Sequence, residues 1–371
     1  MTIMAKQLIK VFSHNDLDGF GGPMLLQSVQ PTVFSSVEFD VEHIGAGQID
    51  ATLDHWFNSP SLNNYSDVYI MDMTPDSENT FKELNQHFAN HWLVFDHHES
   101  EEDQRRRYAA NTVAPHGEMV HASATSIVWD WLQQQPGMDQ LDSQRRQQLA
   151  QLAELIRAYD TWDWQNDPEL PTSVSEGADQ LNELFWFYPK KRAGEFMDHV
   201  FAAGWDAYWQ DNELLVHTLM ERRAAYIKHH LKDVLETTVN GHRLGVVYAS
   251  DYQSQLAHDL LKDQPELDAA LVIGAMRISL RSNDKMDVAK FAEQYYQGGG
   301  HANAAGGRLT INPVKIGEQA VIDQLVSATK AVHEEKQDSE HTLADDLDPE
   351  VAGKLAALLK QQPDEENKNG N

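Results

Sequence analysis

Three short apolar runs, each breaking off at residues able to bind metal ions, constrain this chain more than any other feature of its sequence. Residues 8–13 (Leu-Ile-Lys-Val-Phe-Ser) run into His14-Asn15-Asp16-Leu17-Asp18-Gly19, residues 67–71 run into Asp72, and residues 92–95 (Trp-Leu-Val-Phe) run into Asp96-His97-His98. Nearly continuous apolar runs of this length read as strands buried on both faces, the strand type of a parallel sheet. Open α/β sheets bind their ligands beyond the carboxyl ends of the strands. The expected fold is therefore α/β, with a parallel sheet carrying a candidate metal site along one edge.

Each group also has a purely structural reading. His14, Asp16 and Asp18 alternate, so on an extended chain their side chains project the same way. The competing reading is a polar turn in which Asp18 caps the helix that begins around Gly19, Gly21 and Gly22. Asp72 by itself reads as a turn residue or cap, and Asp96-His97-His98 by itself reads equally well as satisfied polar structure. A fourth segment shifts the balance. The spacing of Leu149, Leu152, Ile156 and Tyr159 predicts a helix over 143–159 with one apolar stripe. Asp160 falls on that same core-directed face, where a carboxylate is costly unless paired or coordinated. Asp163, three residues on, reads as its partner on the solvent side.

Together the four segments offer five carboxylates (Asp16, Asp18, Asp72, Asp96, Asp160) and three imidazoles (His14, His97, His98). That exceeds what one tetrahedral site uses and suits two divalent cations. Mixed His/Asp ligation fits Mn2+ best, with Mg2+ and Co2+ as alternatives. Two such ions roughly 3.5–4 Å apart can share a carboxylate and clamp a phosphate for in-line attack, which is the chemistry of phosphoester hydrolysis.

Composition narrows the partners. Cysteine is absent, which excludes disulfides, a thiolate nucleophile and a cysteine zinc cluster. The formal charge is −29, from 29 Lys+Arg against 58 Asp+Glu. Such a surface repels long polyanions, so long duplex nucleic acid is not an expected partner. A phosphate-bearing substrate would be short and locally gripped: a short single-stranded RNA or a small nucleotide. No apolar run of about 18 residues and no basic-then-apolar start is present, so the expectation is a soluble cytoplasmic protein without a membrane partner. Monomer and dimer both remain open.

At 371 residues the chain exceeds a single core. The expected organisation is a metal-binding domain over 1–185, a helical linker over 186–240, a smaller α/β domain over 241–330 and an acidic tail over 331–371. In the second domain, strands are expected over 244–249, 269–276 and 277–282, with helices over 252–262 and 288–296. Gly298-Gly299-Gly300-His301 and the small residues after it read as a loop whose exposed N–H groups wrap an anion. Arg281 reads either as a bidentate phosphate contact or as a surface charge. Elsewhere, residues 99–107 read as a charged loop, with Arg105-Arg106-Arg107 a solvated face rather than a phosphate contact. Ser123 reads as a helix N-cap. Phe185-Trp186-Phe187-Tyr188 reads as packing, with base stacking as the alternative. In the tail, a short helix is expected after Asp348-Pro349 and disorder over 361–371.

As an ordered set, the four amino-terminal motifs and the later Gly-Gly-Gly-His motif resemble those of the DHH/DHHA1 phosphoesterases, the superfamily of RecJ-type exonucleases and nano-RNases. The resemblance spans residue 8 to about residue 312. Length and the absence of sensory or membrane domains point within it to oligoribonuclease B. The resemblance implies that His14, Asp16 and Asp72 hold one metal ion, while Asp18, Asp72, His97 and Asp160 hold another. Asp96 would orient the histidines and His98 would lie near the scissile phosphate. Gly298, Gly299, Gly300 and His301, helped by Arg281, would bind substrate. The implied activity is exonucleolytic release of nucleoside monophosphates from short oligoribonucleotides. Hydrolysis of 3′-phosphoadenosine 5′-phosphate, or of linear or cyclic dinucleotides, is the alternative within the same chemistry. A catalytically silent scaffold is the non-enzymatic one, and the complete set of carboxylates argues against it.

Overall fold

The computed structural model describes residues 6–310 together with 312, 313, 315–317 and 353. Apart from Gly353, the acidic-tail expectations lie outside the described residues. Two compact units divide between Lys228 and His229.

The first unit is built on four parallel strands, β1 (Gln7–His14), β2 (Val37–Ile44), β3 (Tyr65–Met71) and β4 (Trp92–Phe95), in the order β2-β1-β3-β4. Alternation along the strands sends Ile9, Val11, Tyr69, Met71 and Phe95 into one buried cluster and Phe12, Val68, Ile70 and Val94 into another. Both faces are thus apolar, which is why the runs looked continuous rather than alternating in sequence. The chain leaves β1 for β2 on one side and returns to place β3 on the other. The strand order reverses between β1 and β3, and in open α/β sheets that switch point is where a crevice opens at the carboxyl ends. His14 closes β1 and Asp72 follows β3, so the switch point falls between them.

The helices Ala193–Ala203, Trp205–Asp211 and Glu213–His230 occupy most of the stretch expected as a linker. Phe196, Met197, Val200, Phe201, Trp205 and Leu219 are buried in the first unit's larger cluster, so these helices pack as part of that unit.

The second unit has a six-stranded sheet, β5 (Leu235–Val239), β6 (His242–Tyr248), β7 (Ala269–Ile273), β8 (Arg277–Ser282), β9 (Gly299–His301) and β10 (Ala304–Arg308), in the order β5-β6-β7-β8-β10-β9. Only β6 and β7 pair in parallel. The sheet begins with β5, inside the stretch expected as linker. Helix Val288–Tyr296 forms where expected and contributes Val288, Phe291 and Ala292 to the core.

The glycine-rich stretch is not an open loop. Gly299–His301 is an edge strand paired antiparallel with β10. Glycine is demanded there by close backbone approach: a Cβ on Gly298 would stand 1.9 Å from the Gly306 carbonyl oxygen. No helix among the described residues is long and apolar enough to cross a membrane.

Candidate metal centre

The backbone after β1 departs from the extended geometry expected for His14, Asp16 and Asp18. A helix begins at Leu17, so Asp16 is its N-cap and accepts from the Gly19 amide (3.0 Å), while Asp18 lies inside the first turn. The cap is therefore Asp16 and not Asp18. The turn is tight: Ser13 Oγ donates to the Gly19 carbonyl, and a Cβ on Gly19 would stand 2.2 Å from the His14 oxygen. His14 and Asp16 close on each other, with Nδ1 to Oδ2 at 2.7 Å.

Asp18, 2% exposed, points instead at the start of helix Ala124–Leu132. It accepts from the amides of Ala124 (2.7 Å) and Thr125 (2.9 Å), donors that a helix N-terminus leaves unpaired. Ser123 caps that helix, as expected. Even so, burial, followed by the charges of Asp72 and Asp160, pushes the Asp18 carboxyl well above its ordinary range.

Asp72 sits at the centre. It is 3% exposed and its backbone has φ 57°, a left-handed conformation that Asp and Asn tolerate better than other side chains. Burial and the nearby Asp16 charge raise its carboxyl to about 6. His97 Nε2 lies 3.6 Å from Asp72 Oδ1, 3.9 Å from Asp18 Oδ2 and 3.1 Å from Asp160 Oδ2. Burial disfavours the His97 imidazolium, but the surrounding carboxylates outweigh it and lift its pKa to about 12. For His14, burial is likewise outweighed by Asp16 and Asp72, and its pKa rises to about 10.

Three ligand-capable sets result, each with its atoms within 4.8 Å of one another: His14, Asp16 and Asp72; Asp18, His97 and Asp160; Asp72, His97 and His98. Asp72 Oδ2, His97 Nε2 and Asp160 Oδ2 are buried without any hydrogen-bond partner, even where an ion-pair distance separates them. Buried polar atoms are ordinarily satisfied. Orphaned donor atoms of the right chemistry, converging among acidic neighbours, fit a divalent cation.

Asp96 stands behind this layer, fully buried. Its Oδ1 accepts from the His97 and His98 amides and from His98 Nδ1 (2.7 Å); its Oδ2 accepts from Thr74 Oγ1 (2.5 Å) and Arg105 Nη1 (3.3 Å). It thus fixes the ring of His98 but reaches only the backbone of His97. Burial opposes ionisation, yet His98, Thr74 and Arg105 together hold the carboxyl down at about 2.

Three sequence expectations are corrected here. Residues 99–107 are largely helical rather than loop, with a helix over Glu102–Arg107. Arg105 is 5% exposed and also donates to the His98 carbonyl (2.5 Å), whereas only Arg106 and Arg107 face solvent. Asp163 is buried and ion-paired to Arg157, not placed on the solvent side. Thr74 and Arg105 are the contributors that sequence reasoning missed; the only signal was their proximity in sequence to Asp72 and to Asp96-His97-His98. In the second unit, Arg281 lies on β8 opposite Ala304 of β10, the strand between β8 and β9, and His301 ends β9.

No family model matches the sequence. The chain is 28% identical over 307 residues to oligoribonuclease NrnB of Bacillus subtilis (strain 168), covering 81% of this chain and 72% of that protein. Among solved structures, RecJ of Thermus thermophilus in complex with Mn2+ aligns with 82% of this chain and 49% of its own, at 14% identity and a TM-score of 0.48. An exopolyphosphatase-related protein from Bacteroides fragilis aligns with 86% of this chain and 92% of its own, at 14% identity and a TM-score of 0.46. By its motif set and this sequence relationship the chain is similar to the DHH/DHHA1 phosphoesterases, a class of metal-dependent hydrolases. Within that class it resembles oligoribonuclease B.

Proposed function

We propose that the protein hydrolyses phosphodiester bonds in short oligoribonucleotides, releasing nucleoside monophosphates. The observation that carries this reading is the convergence of orphaned Asp72, His97 and Asp160 atoms at the switch point of the first sheet. The similarity to oligoribonuclease NrnB supports the substrate class.

In this reading His14, Asp16 and Asp72, which cluster together, would hold one divalent ion, and Asp18, His97 and Asp160, which also cluster, would hold a second together with Asp72. Bound Mn2+ would neutralise phosphate charge and lower the pKa of the attacking water. The remaining work falls to protein groups. Asp96 anchors His98 through Nδ1, and its charge keeps that imidazole protonated: burial works the other way, but the pKa is raised to about 9. In this reading the half-exposed His98 donates its Nε2 proton to the leaving oxygen; its partial exposure beside Asp72 supports that role. In the second unit, Gly298, Gly299, Gly300, His301 and Arg281 contact substrate. The support is that Gly299 and Gly300 lie on an exposed strand that, among the described residues, forms the edge of the sheet, where outer backbone groups can meet a ligand.

The test is product analysis on end-labelled RNAs from two to about 25 nucleotides with Mn2+ and the full chain. Parallel reactions hold 3′-phosphoadenosine 5′-phosphate, dinucleotides, or chelator. Rapid, chelator-sensitive release of mononucleotides from the shortest RNAs is expected. Turnover confined to the bisphosphate would replace this substrate assignment, and no turnover of any substrate would refute the hydrolase reading.

A further inference from the structure

The aromatic segment that sequence reads as packing divides in the structure. Phe185 is 3% exposed and packs edge-on against Phe20 (centroids 5.4 Å apart, 65°). Its neighbour Trp186 stands perpendicular to it (5.3 Å, 90°) and is 53% exposed. Beside them is a cavity of about 190 Å³ lined by Asn15, Phe20, Phe185, Trp186, Tyr188 and Lys190, all within the first unit.

Three features of its lining point to a ligand rather than to unfinished packing. The Asn15 carboxamide and the Lys190 ammonium bring an amide and a cation into an otherwise largely aromatic lining. Asn15 lies between His14 and Asp16 in the chain, so its Cα is ~3.8 Å from those of two candidate metal ligands. His43, also part of the lining, stacks on Phe20 (3.5 Å, 8°) and donates from Nδ1 to the His14 carbonyl (2.9 Å), which ties the wall to the metal-capable cluster. An aromatic face for the base plane, an amide able to pair with the base edge and a cation for phosphate, arranged next to the candidate metal centre, match the base and the phosphate of a nucleotide.

We propose that this cavity receives a nucleobase of the substrate. Trp186 is the stacking platform, the Asn15 amide meets the base edge, and Lys190 meets an adjoining phosphate. The proposal rests on the phosphodiesterase reading and adds to it a base subsite within the first unit, separate from the glycine-rich strand of the second.

The test uses the metal-loaded full chain and reads binding and turnover separately. Equilibrium binding of adenosine 5′-monophosphate is measured for wild type, Trp186→Ala and Trp186→Phe. Steady-state kinetics are measured on the ribodinucleotide ApA and on the same molecule with one base removed. Because Trp186 is half exposed, its truncation spares the core. Stacking losses of the size seen for single bases correspond to roughly 5- to 150-fold weaker binding by Trp186→Ala, with most of the affinity recovered in Trp186→Phe. On the dinucleotide, deleting the base and deleting the indole should not add: the double deletion loses no more than the larger single one. Wild-type affinity and kcat/KM in Trp186→Ala, additive losses, or no binding of the monophosphate by wild type would overturn the base subsite. If the nucleotide binds through Trp186 but no substrate is cleaved, the hydrolase reading fails and the subsite stands.

Discussion

The carboxylate at the centre of the proposed metal site is also the one that burdens the metal-free fold, and Asp72→Asn separates the two effects. Burial and the Asp16 charge raise the Asp72 carboxyl from 3.8 to about 6, so above that pH the folded protein carries an ionised group that it disfavours. At ~1.4 kcal/mol for each tenfold change in proton affinity, the cost near pH 7.5 is roughly 3 kcal/mol. Asparagine keeps the shape, tolerates φ 57°, and leaves the backbone bond from the Asp72 amide to the Phe95 carbonyl in place. His14 and His97 each lose an anionic neighbour, which reduces the expected gain to about 1–3 kcal/mol. The sign follows from the raised pKa. The penalty is full above about 6, shrinks as pH falls through 6, and is gone below the unfolded value, so the advantage of the variant should nearly vanish near pH 4. All nine tryptophans precede residue 229, so their fluorescence during urea unfolding reports the first unit alone. In chelator at pH 7.5, Asp72→Asn should unfold at higher urea than wild type. In saturating Mn2+ the order should reverse, since only wild type gains binding energy from the ions. A chelated variant no more stable than chelated wild type at pH 7.5 would refute the account of Asp72 as a strained, waiting ligand.

Three further outcomes follow from the same geometry. Arg105→Met removes the cation from a fully buried carboxylate, and should cost about 3 kcal/mol in urea unfolding and lower kcat through the loosened His98; a variant as stable as wild type would show that Asp96 needs no counter-ion. Because His14 and His97 are held protonated to about 10 and about 12 in the metal-free protein, Mn2+ binding at pH 7 should expel about two protons and tighten as pH rises. Calorimetry in buffers of different ionisation enthalpy measures this, and binding without proton release would contradict the ligand assignment. Gly298→Ala should unseat β9 from β10 through its clash with the Gly306 carbonyl, raising KM while leaving the tryptophan-detected unfolding of the first unit unchanged; an unaltered KM would remove β9 from the substrate site.

Much of the first sheet and of the His- and Asp-rich edge it carries is legible in the amino-acid sequence, because both are written in local patterns. The apolar runs 8–13, 67–71 and 92–95 each formed the strand they predicted, and each brought its candidate ligands to the same sheet edge. In a parallel sheet that edge is fixed by chain direction alone, so the order of apolar run and polar triplet sufficed to collect His14, Asp72 and Asp96-His97-His98. The helix ending at Asp160 was equally readable from its 3.6-residue stripe.

What tertiary structure decided are the contacts between segments far apart in sequence. Asp16 became the cap and Asp18 turned away because the amides of Ala124 and Thr125, more than a hundred residues later, were there to receive it. Arg105 left the solvated face of its charge run because a buried Asp96 needed a cation. Gly298-Gly299-Gly300-His301 settled as an edge strand because β10 offered it a partner at a separation only glycine allows. Trp186 was left exposed while Phe185 was buried, one position apart, because Phe20 packs against only one of them. Residue type and spacing fix which groups can act; which partner each one meets is decided only when packing brings distant backbone amides, counter-charges and rings within reach.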